Sequence, residues 1–114
     1  MTVLNVGLNK IKDLMAAEMS SLVLGTDGTE ASEADSGVIS PVAETEKSID
    51  VVTSDKTINI KYILYSTEGN GNTYKEAGVK FSDGTALDRW TYTPVVKDNT
   101  FELHVRKRYF IKNG

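Results

Sequence analysis

Residues 73–111 read TYKEAGVKFSDGTALDRWTYTPVVKDNTFELHVRKRYFI, and the fold class follows from them. Two runs with strand character, residues 74–81 and 85–92, flank the tripeptide Ser82-Asp83-Gly84. An Asp-Gly pair between two such runs predicts a β-hairpin, because a tight turn needs a positive φ that glycine accepts without steric cost. Gly78 lies inside the first run, which indicates a bulge or the close approach of another backbone.

The chain beyond this hairpin predicts a long terminal strand. Pro94 is expected to interrupt the pairing of the second run, and residues 97–100 are expected to form another turn. Residues 101–111 then alternate with a period of two, so one face should pack while the other is solvated or meets a partner. The first face holds Phe101, Leu103, Val105, Lys107, Tyr109 and Ile111, and the second holds Glu102, His104, Arg106, Arg108 and Phe110.

Two further strands are predicted upstream, at residues 48–53 and 56–66. The second is rich in β-formers and places four apolar side chains on one face, which predicts that this face is buried. These four are Ile58, Ile60, Tyr62 and Leu64. The chain is therefore predicted to be mainly β, a small antiparallel β-sandwich of about six strands with an N-terminal α-helix.

Residues 5–20 have the periodicity of that helix, with Asn5 as the predicted N-cap. One apolar stripe consists of Leu8, Ile11, Leu14, Met15, Met19 and Leu22, and the charged Lys10, Lys12, Asp13 and Glu18 lie off it. Two hypotheses account for the stripe. The helix packs on the sheet of its own domain, or it packs against symmetry mates or a neighbouring protein.

The 114 residues are enough for one domain with a modest core. We divide it into residues 1–24 (helix and first strand), 25–47 (acidic loop and linker) and 48–114 (antiparallel β domain). Neither a signal-peptide pattern nor an apolar run long enough to span a bilayer is present in the sequence, so no membrane partner is expected. The chain is expected to be made in the cytoplasm of the cell that translates it.

The charge distribution is uneven along the chain. Residues 1–56 hold four lysines against ten acids, a balance of −6, while residues 57–114 hold nine Lys or Arg against six acids, a balance of +3. Two hypotheses account for this distribution. The two halves attract one another, within a chain or between chains, or the charges are scattered over the surface and solvated. The net charge of −3 gives no reason to expect a nucleic-acid partner.

No catalytic, cofactor or metal constellation stands out, so the chain is predicted not to be an enzyme. The absence of cysteine excludes disulfides and thiolate metal sites. The acids Asp27, Glu30, Glu33 and Asp35 do not match EF-hand spacing and predict a solvated loop without a metal. The single histidine, His104, is interpreted as a surface strand residue.

Three segments resemble small structural proteins of tailed bacteriophages, the neck, collar and tail-appendage proteins. Residues 24–32 (LGTDGTEAS) are similar to the Gly-x-Gly-Thr-x-Ala-Pro/Ser stretch that follows their first element. Residues 72–79 (NTYKEAGV) are similar to their Arg-Glu-Ile-Gly-Leu strand. Residues 82–89 (SDGTALDR), then Lys97 and the alternating terminal strand, are similar to their Asp-Gly ending. Lys75, Ala77 and residues 30–32 depart from these patterns.

This resemblance implies a virion protein, often a homotrimer, attached to neighbouring connector or tail proteins. The limited core of a small domain, the uneven charge and the enrichment of Arg and aromatic residues in interfaces also favour self-association. The predicted interface residues are Leu8, Ile11, Leu14, Met15, Met19, Arg106, Arg108 and Phe110. An alternative function is a carbohydrate-binding host-recognition module, for which the candidate aromatic residues are Tyr62, Tyr65, Trp90 and Tyr92.

Overall fold

The computed structural model describes residues 2–113, which form one helix and seven strands. The elements are α1 (Asn5–Glu18), β1 (Met19–Gly25), a 3-10 turn (Ala43–Thr45), β2 (Lys47–Ser48), β3 (Asp50–Ser54), β4 (Thr57–Leu64), β5 (Thr73–Phe81), β6 (Trp90–Val96) and β7 (Leu103–Phe110). The predicted class, mainly β with an N-terminal helix, is confirmed. Within residues 2–113, no helix has the length and apolar character needed to cross a membrane.

The strands form two antiparallel sheets, a four-stranded sheet in the order β2-β1-β5-β6 and a three-stranded sheet in the order β3-β4-β7. Their facing side chains form one hydrophobic core, as in other sandwiches. Leu22, Leu24 and Val79 come from the four-stranded sheet, and the predicted buried face of β4 supplies the opposite side. Because β1 lies between β2 and β5, the first 24 residues share a sheet with the C-terminal part of the chain.

The strand predicted at residues 48–53 is two strands in two different sheets. β2 pairs with β1, whereas β3 pairs with β4, and Ile49 lies between them. The Ile49 N–H donates to the Ser20 carbonyl at 3.3 Å. A strand that passes from one sheet to the other forms a corner of the sandwich. The alternation of apolar and polar residues in this segment is too short to show where the chain changes sheet.

The predicted Asp-Gly turn is confirmed. Gly84 has a φ of +90°, and its N–H donates to the Phe81 carbonyl at 2.9 Å. The Asp83 carboxylate accepts a hydrogen bond from the Thr85 N–H at 2.8 Å, so a side chain also stabilises the turn. The turn is therefore held by both backbone and side-chain hydrogen bonds.

The second arm of this hairpin differs from the prediction at its start. The ladder begins only at Trp90, after an isolated bridge between Lys80 and Ala86. Pro94 lies inside β6, but the register shifts between the pairs Glu76–Thr91 and Tyr74–Val95, so the pairing is interrupted next to the proline, as predicted. This strand is the edge of its sheet, where a proline can be accommodated without breaking a central ladder.

Gly78 occupies the predicted position of close approach. A Cβ at this position would lie 2.6 Å from the Asp88 carbonyl oxygen and 2.9 Å from Val38 Cγ2. Residue 78 pairs with Val23 across β1 and β5, so the loop around Asp88 lies directly against the sheet. Only glycine leaves enough room for that contact.

Replacing Gly84 with valine is expected to lower the free energy of unfolding by about 1–3 kcal/mol. A Cβ at Gly84 would meet nothing within 4 Å, so the loss arises from backbone strain at positive φ and not from a clash. Chemical denaturation measures the change. Gly84→Asn is the matched control, because asparagine tolerates this backbone region, and an equal loss for both variants would contradict the explanation.

The alternation of β7 is confirmed. Its inward residues are partly buried and its outward residues, including Arg106, Arg108 and Phe110, are exposed. The strand pairs with β4 along its whole length, from the pair Thr57–Phe110 to the pair Leu64–Leu103. The outward face of the three-stranded sheet is therefore continuous across both strands.

The helix begins and ends close to the predicted positions, but Asn5 is not its N-cap. The N-cap residue is Leu4, which makes no side-chain capping bond. The Asn5 amide oxygen instead accepts a hydrogen bond from Lys56 Nζ at 3.2 Å, and the Asn9 amide group contacts Asp55 and the Lys56 N–H. These contacts hold the helix against the β3–β4 turn at one end of the sandwich.

Candidate interaction surfaces

The face with which α1 packs on the domain contains only part of the predicted apolar stripe, Leu8 and Met15, together with Lys12. Lys12 is only 8% exposed and donates from Nζ to the Ser54 carbonyl at 3.1 Å. Ile11 and Leu14 remain 48% and 58% exposed. The polar contacts to the β3–β4 turn rotate the helix, so that Lys12 faces the domain and part of the stripe faces away from it.

The exposed part of the stripe forms an apolar surface, which we call the helix patch. It consists of the exposed Ile11 and Leu14, the partly buried Met15 and, from the end of β5, the partly buried Phe81, with Glu18 and Asp83 at its rim. The Glu18 carboxylate accepts a hydrogen bond from Ser82 Oγ at 2.7 Å. The Thr85 N–H lowers the pKa of Asp83. The patch is therefore apolar at its centre and anionic at its edge.

Two predicted interface residues are corrected by the structure. Leu8 is 6% exposed and Met19 is 7% exposed, so neither presents its side chain to a neighbour. Met19 is the first residue of β1 and belongs to the hydrophobic core. Because the helix ends at Glu18, the spacing of four residues between Met15 and Met19 does not place the two side chains on one helix face.

The predicted interface residues of the terminal strand, Arg106, Arg108 and Phe110, lie together on the outward face of the three-stranded sheet, which we call the sheet face. Lys61 pairs in register with Arg106, and Asn59 pairs with Arg108. The Arg108 guanidinium lies 6.0 Å from the Phe110 ring and donates from Nε to the Asn59 amide oxygen at 2.7 Å. The sheet face consists of Asp50, Val52, Lys61, Arg106, Arg108 and Phe110, and Asp50 pairs in register with Lys61.

The sheet face combines positive charge with exposed apolar side chains. Val52 and Phe110 are 64% and 62% exposed. Among residues 2–113, the cations Lys61, Arg106 and Arg108 form no salt bridge. The sheet face is therefore able to pair with carboxylates from outside the chain.

A buried ion pair that the sequence patterns did not predict binds the acidic loop to the sandwich. Arg89 Nε lies 2.8 Å from Glu76 Oε1, and both side chains are almost fully buried. Glu76 also accepts the N–H groups of Ile39 and Ser40 at 2.7 and 2.9 Å. Arg89 also donates to the Asp35 carboxylate at 3.0 Å and to a loop carbonyl. In the sequence, the only sign of this ion pair is that Glu76 occupies a position in a predicted strand from which its side chain can point into the core.

This network changes the interpretation of the acidic loop. Asp35 forms a salt bridge with Arg89, and Asp27 lies 3.9 Å from the same guanidinium, whereas Glu30 and Glu33 are exposed. The loop is thus solvated at its tip and bound to the sheet at both ends. In the described part of the chain, no group of three or more His, Asp or Glu side chains is placed to hold a metal ion.

Calcium is expected not to bind this loop with a dissociation constant below about 100 μM, a range that specific protein sites reach. The reason is that Arg89 already neutralises the carboxylate of Asp35 and lies close to that of Asp27. Isothermal titration calorimetry with Ca²⁺ is the measurement. A clear isotherm that disappears in the Asp27→Ala variant would refute this prediction.

The stability of the domain should depend on the ionisation of Glu76. Burial acts to raise the pKa of its carboxyl group, but the hydrogen bonds from Arg89 and three backbone N–H groups hold the pKa below its ordinary value of 4.5. The ionised group therefore stabilises the folded state above the unfolded-state pKa, and this contribution is lost as the pH falls through the folded-state pKa.

The free energy of unfolding is accordingly expected to fall as the pH is lowered below about 4.5. Urea denaturation at a series of pH values measures the slope. The Glu76→Gln variant cannot lose this proton-linked contribution, so its slope should be shallower than that of the wild type. Identical slopes for the two proteins would show that other carboxyl groups cause the acid sensitivity.

The four aromatic residues considered for carbohydrate binding do not share an exposed face. Tyr62 is buried, and Tyr92 is partly buried with its hydroxyl donating to the Glu76 carbonyl at 3.1 Å. The Trp90 ring is covered by Lys107 Nζ, which lies 3.9 Å from its centroid. Of the four, only the Tyr65 side chain is largely exposed to solvent, at 51%.

His104 lies on the exposed side of β7, as predicted, and its Nε2 is 3.0 Å from the Glu102 carboxylate.

The molecule has two exposed surfaces of opposite charge, the helix patch and the sheet face. Comparison of the chain with protein-family models, with curated proteins and with solved structures gives no match.

Proposed function

We propose that this chain is a non-enzymatic structural subunit of a tailed-phage virion, which assembles with copies of itself in a neck, a collar or a tail appendage. The observation that carries self-assembly is the exposure of Ile11 and Leu14 on α1. The virion and the homotrimer come from the sequence resemblance in residues 24–32, 72–79 and 82–89. The surfaces described above support that interpretation with contacts that assembly would use.

The physical argument concerns how the helix uses its two faces. The helix buries Leu8 and Lys12 against its own domain and leaves Ile11 and Leu14 in water. Burying such surface is favourable by about 25 cal/mol per Å², so its exposure in the single chain favours a partner that covers it. Contiguous apolar surface with a polar rim is typical of protein interaction sites. The stripe is thus divided between the two hypotheses: Leu8 and Met15 pack on the domain itself, whereas Ile11 and Leu14 are exposed to a neighbour.

The alternative function, recognition of host-surface carbohydrate, has less support from the geometry. A sugar-binding platform needs aromatic faces that are open to the ligand, and three of the four candidates pack against the core or lie within it. Tyr65 remains, and Lys47 Nζ lies 4.5 Å from its ring centroid. A glycan array probed with the purified protein tests this alternative.

The proposed function is tested on purified phage particles. Peptide mass spectrometry should find the chain in particles banded on a density gradient, at a fixed ratio to the connector protein, before and after a high-salt wash. A host cytoplasmic protein of similar abundance is the control and should be lost in the wash. Finding the chain only in the lysate, and not in particles, would overturn the proposal.

A further inference from the structure

We infer that the helix patch of one copy docks on the sheet face of the next copy, so that the contact between copies is heterologous. This inference rests on the proposed self-assembly and specifies how it occurs. The occupant of the helix patch is thus a second copy of this chain, and so is the occupant of the sheet face. Charge, apolar content and the positions of the two surfaces all support this pairing.

Charge complementarity is the first argument. The rim of the helix patch contains Glu18 and Asp83, and its lining includes no basic side chain. The sheet face presents Lys61, Arg106 and Arg108 against the one acid Asp50, and none of the three cations forms a salt bridge within residues 2–113. Docking one on the other places acids opposite bases, which favours the encounter and fixes its orientation.

The same charges disfavour the two symmetric alternatives. Helix patch against helix patch would place Glu18 and Asp83 of both copies next to each other. Sheet face against sheet face would place Arg106 and Arg108 next to their counterparts. Juxtaposed like charges suppress a pairing, so a two-fold contact through either surface is the weaker choice.

Apolar content is the second argument. Ile11 and Leu14 are the exposed apolar centre of one surface, and Val52 and Phe110 are the exposed apolar side chains of the other. Interfaces combine an apolar core with charged groups at the rim, and arginine and phenylalanine are enriched in them. The pairing would cover four of the large hydrophobic side chains that the single chain leaves in water.

The positions of the surfaces give the third argument. The helix patch lies on α1 and at the end of β5, whereas the sheet face lies on β3, β4 and β7. After one contact, each copy still has one surface free. A heterologous contact of this kind either closes into a ring or extends as a filament. A three-fold ring requires such a contact, which agrees with the trimer implied by the sequence resemblance.

A complementation experiment tests this inference with two variants of the full chain. Leu14→Asp disables the helix patch and leaves the sheet face intact, while Phe110→Asp does the reverse. Each variant alone is expected to be a monomer by sedimentation velocity. An equimolar mixture is expected to form a dimer that contains one copy of each variant and nothing larger, because only one intact surface of each kind remains.

The outcomes separate the inference from the proposed function. If the wild-type chain is monomeric under the same conditions, the proposed self-assembly fails and the inference fails with it. If the wild type assembles but Phe110→Asp also assembles alone, or the mixture contains no mixed dimer, only the heterologous contact is overturned. Circular dichroism and thermal unfolding of each variant establish that it is folded.

Charge reversal provides a second test that does not depend on the two apolar substitutions. A chain with Glu18→Lys and Asp83→Lys, and another with Arg106→Glu and Arg108→Glu, should each lose assembly. A chain with all four substitutions has its charges exchanged between the two surfaces and should regain the wild-type mass. Failure of the fourfold variant to assemble, with a native circular dichroism spectrum, would overturn the charge pairing.

Discussion

Replacing Glu76 with alanine is expected to lower the free energy of unfolding by about 3–5 kcal/mol, the usual loss when one partner of a buried ion pair is removed. The Arg89 side chain is only 2% exposed and would lose the carboxylate to which its Nε donates. The N–H groups of Asp27, Ile39 and Ser40 would also lose their acceptor. Chemical denaturation followed by tryptophan fluorescence measures the loss.

The ion pair between Lys80 and Glu46 is the matched control for this prediction. Its Nζ–Oε1 distance is 2.6 Å, but its side chains are 34% and 42% exposed. Exposed pairs contribute about 0–1 kcal/mol, so Glu46→Ala should have a small effect. If Glu46→Ala and Glu76→Ala destabilise the protein equally, the burial of the Glu76–Arg89 pair is not the cause of its importance.

Replacing Leu14 with aspartate is expected to shift the assembled protein to monomer while the domain remains folded. The substitution places a charge in the apolar centre of the helix patch, next to Glu18 at its rim. Truncating a central interface residue costs about 2 kcal/mol or more, which is more than tenfold in Kd. Because Leu14 is 58% exposed, the loss of stability within the single chain should be small.

Val6→Asp is the matched control, because it introduces the same charge on the same helix. Val6 is 76% exposed and does not line the helix patch. Size-exclusion chromatography with light scattering should find this variant at the wild-type mass and Leu14→Asp at the monomer mass. Dissociation of both variants would mean that any negative charge on α1 disrupts assembly, and the helix patch would lose its special role.

The parts of the fold that were predicted correctly from the sequence depend on local signals. The Asp83-Gly84 turn follows from the need for a positive φ, and the buried face of β4 follows from strict alternation. The exposed face of β7 follows in the same way. Each of these signals lies within a few consecutive residues, so no knowledge of the tertiary structure was needed.

The features that the sequence did not predict depend on contacts between distant parts of the chain. The helical period places Leu8, Ile11 and Leu14 on one stripe, but the orientation of the helix depends on the bond from Lys12 to Ser54, 42 residues away. The pairing of Glu76 with Arg89 likewise depends on how a loop folds over the sheet. The apolar spacing thus predicted α1 but could not show which half of its stripe would remain exposed.

Sedimentation equilibrium of the wild-type chain at micromolar concentrations tests most directly whether the exposed surfaces of this domain hold copies of it together. We expect a mass that rises with concentration to a multiple of the 12.5 kDa chain, with three copies expected from the phage resemblance. A folded protein that stays at 12.5 kDa at every concentration would contradict this expectation.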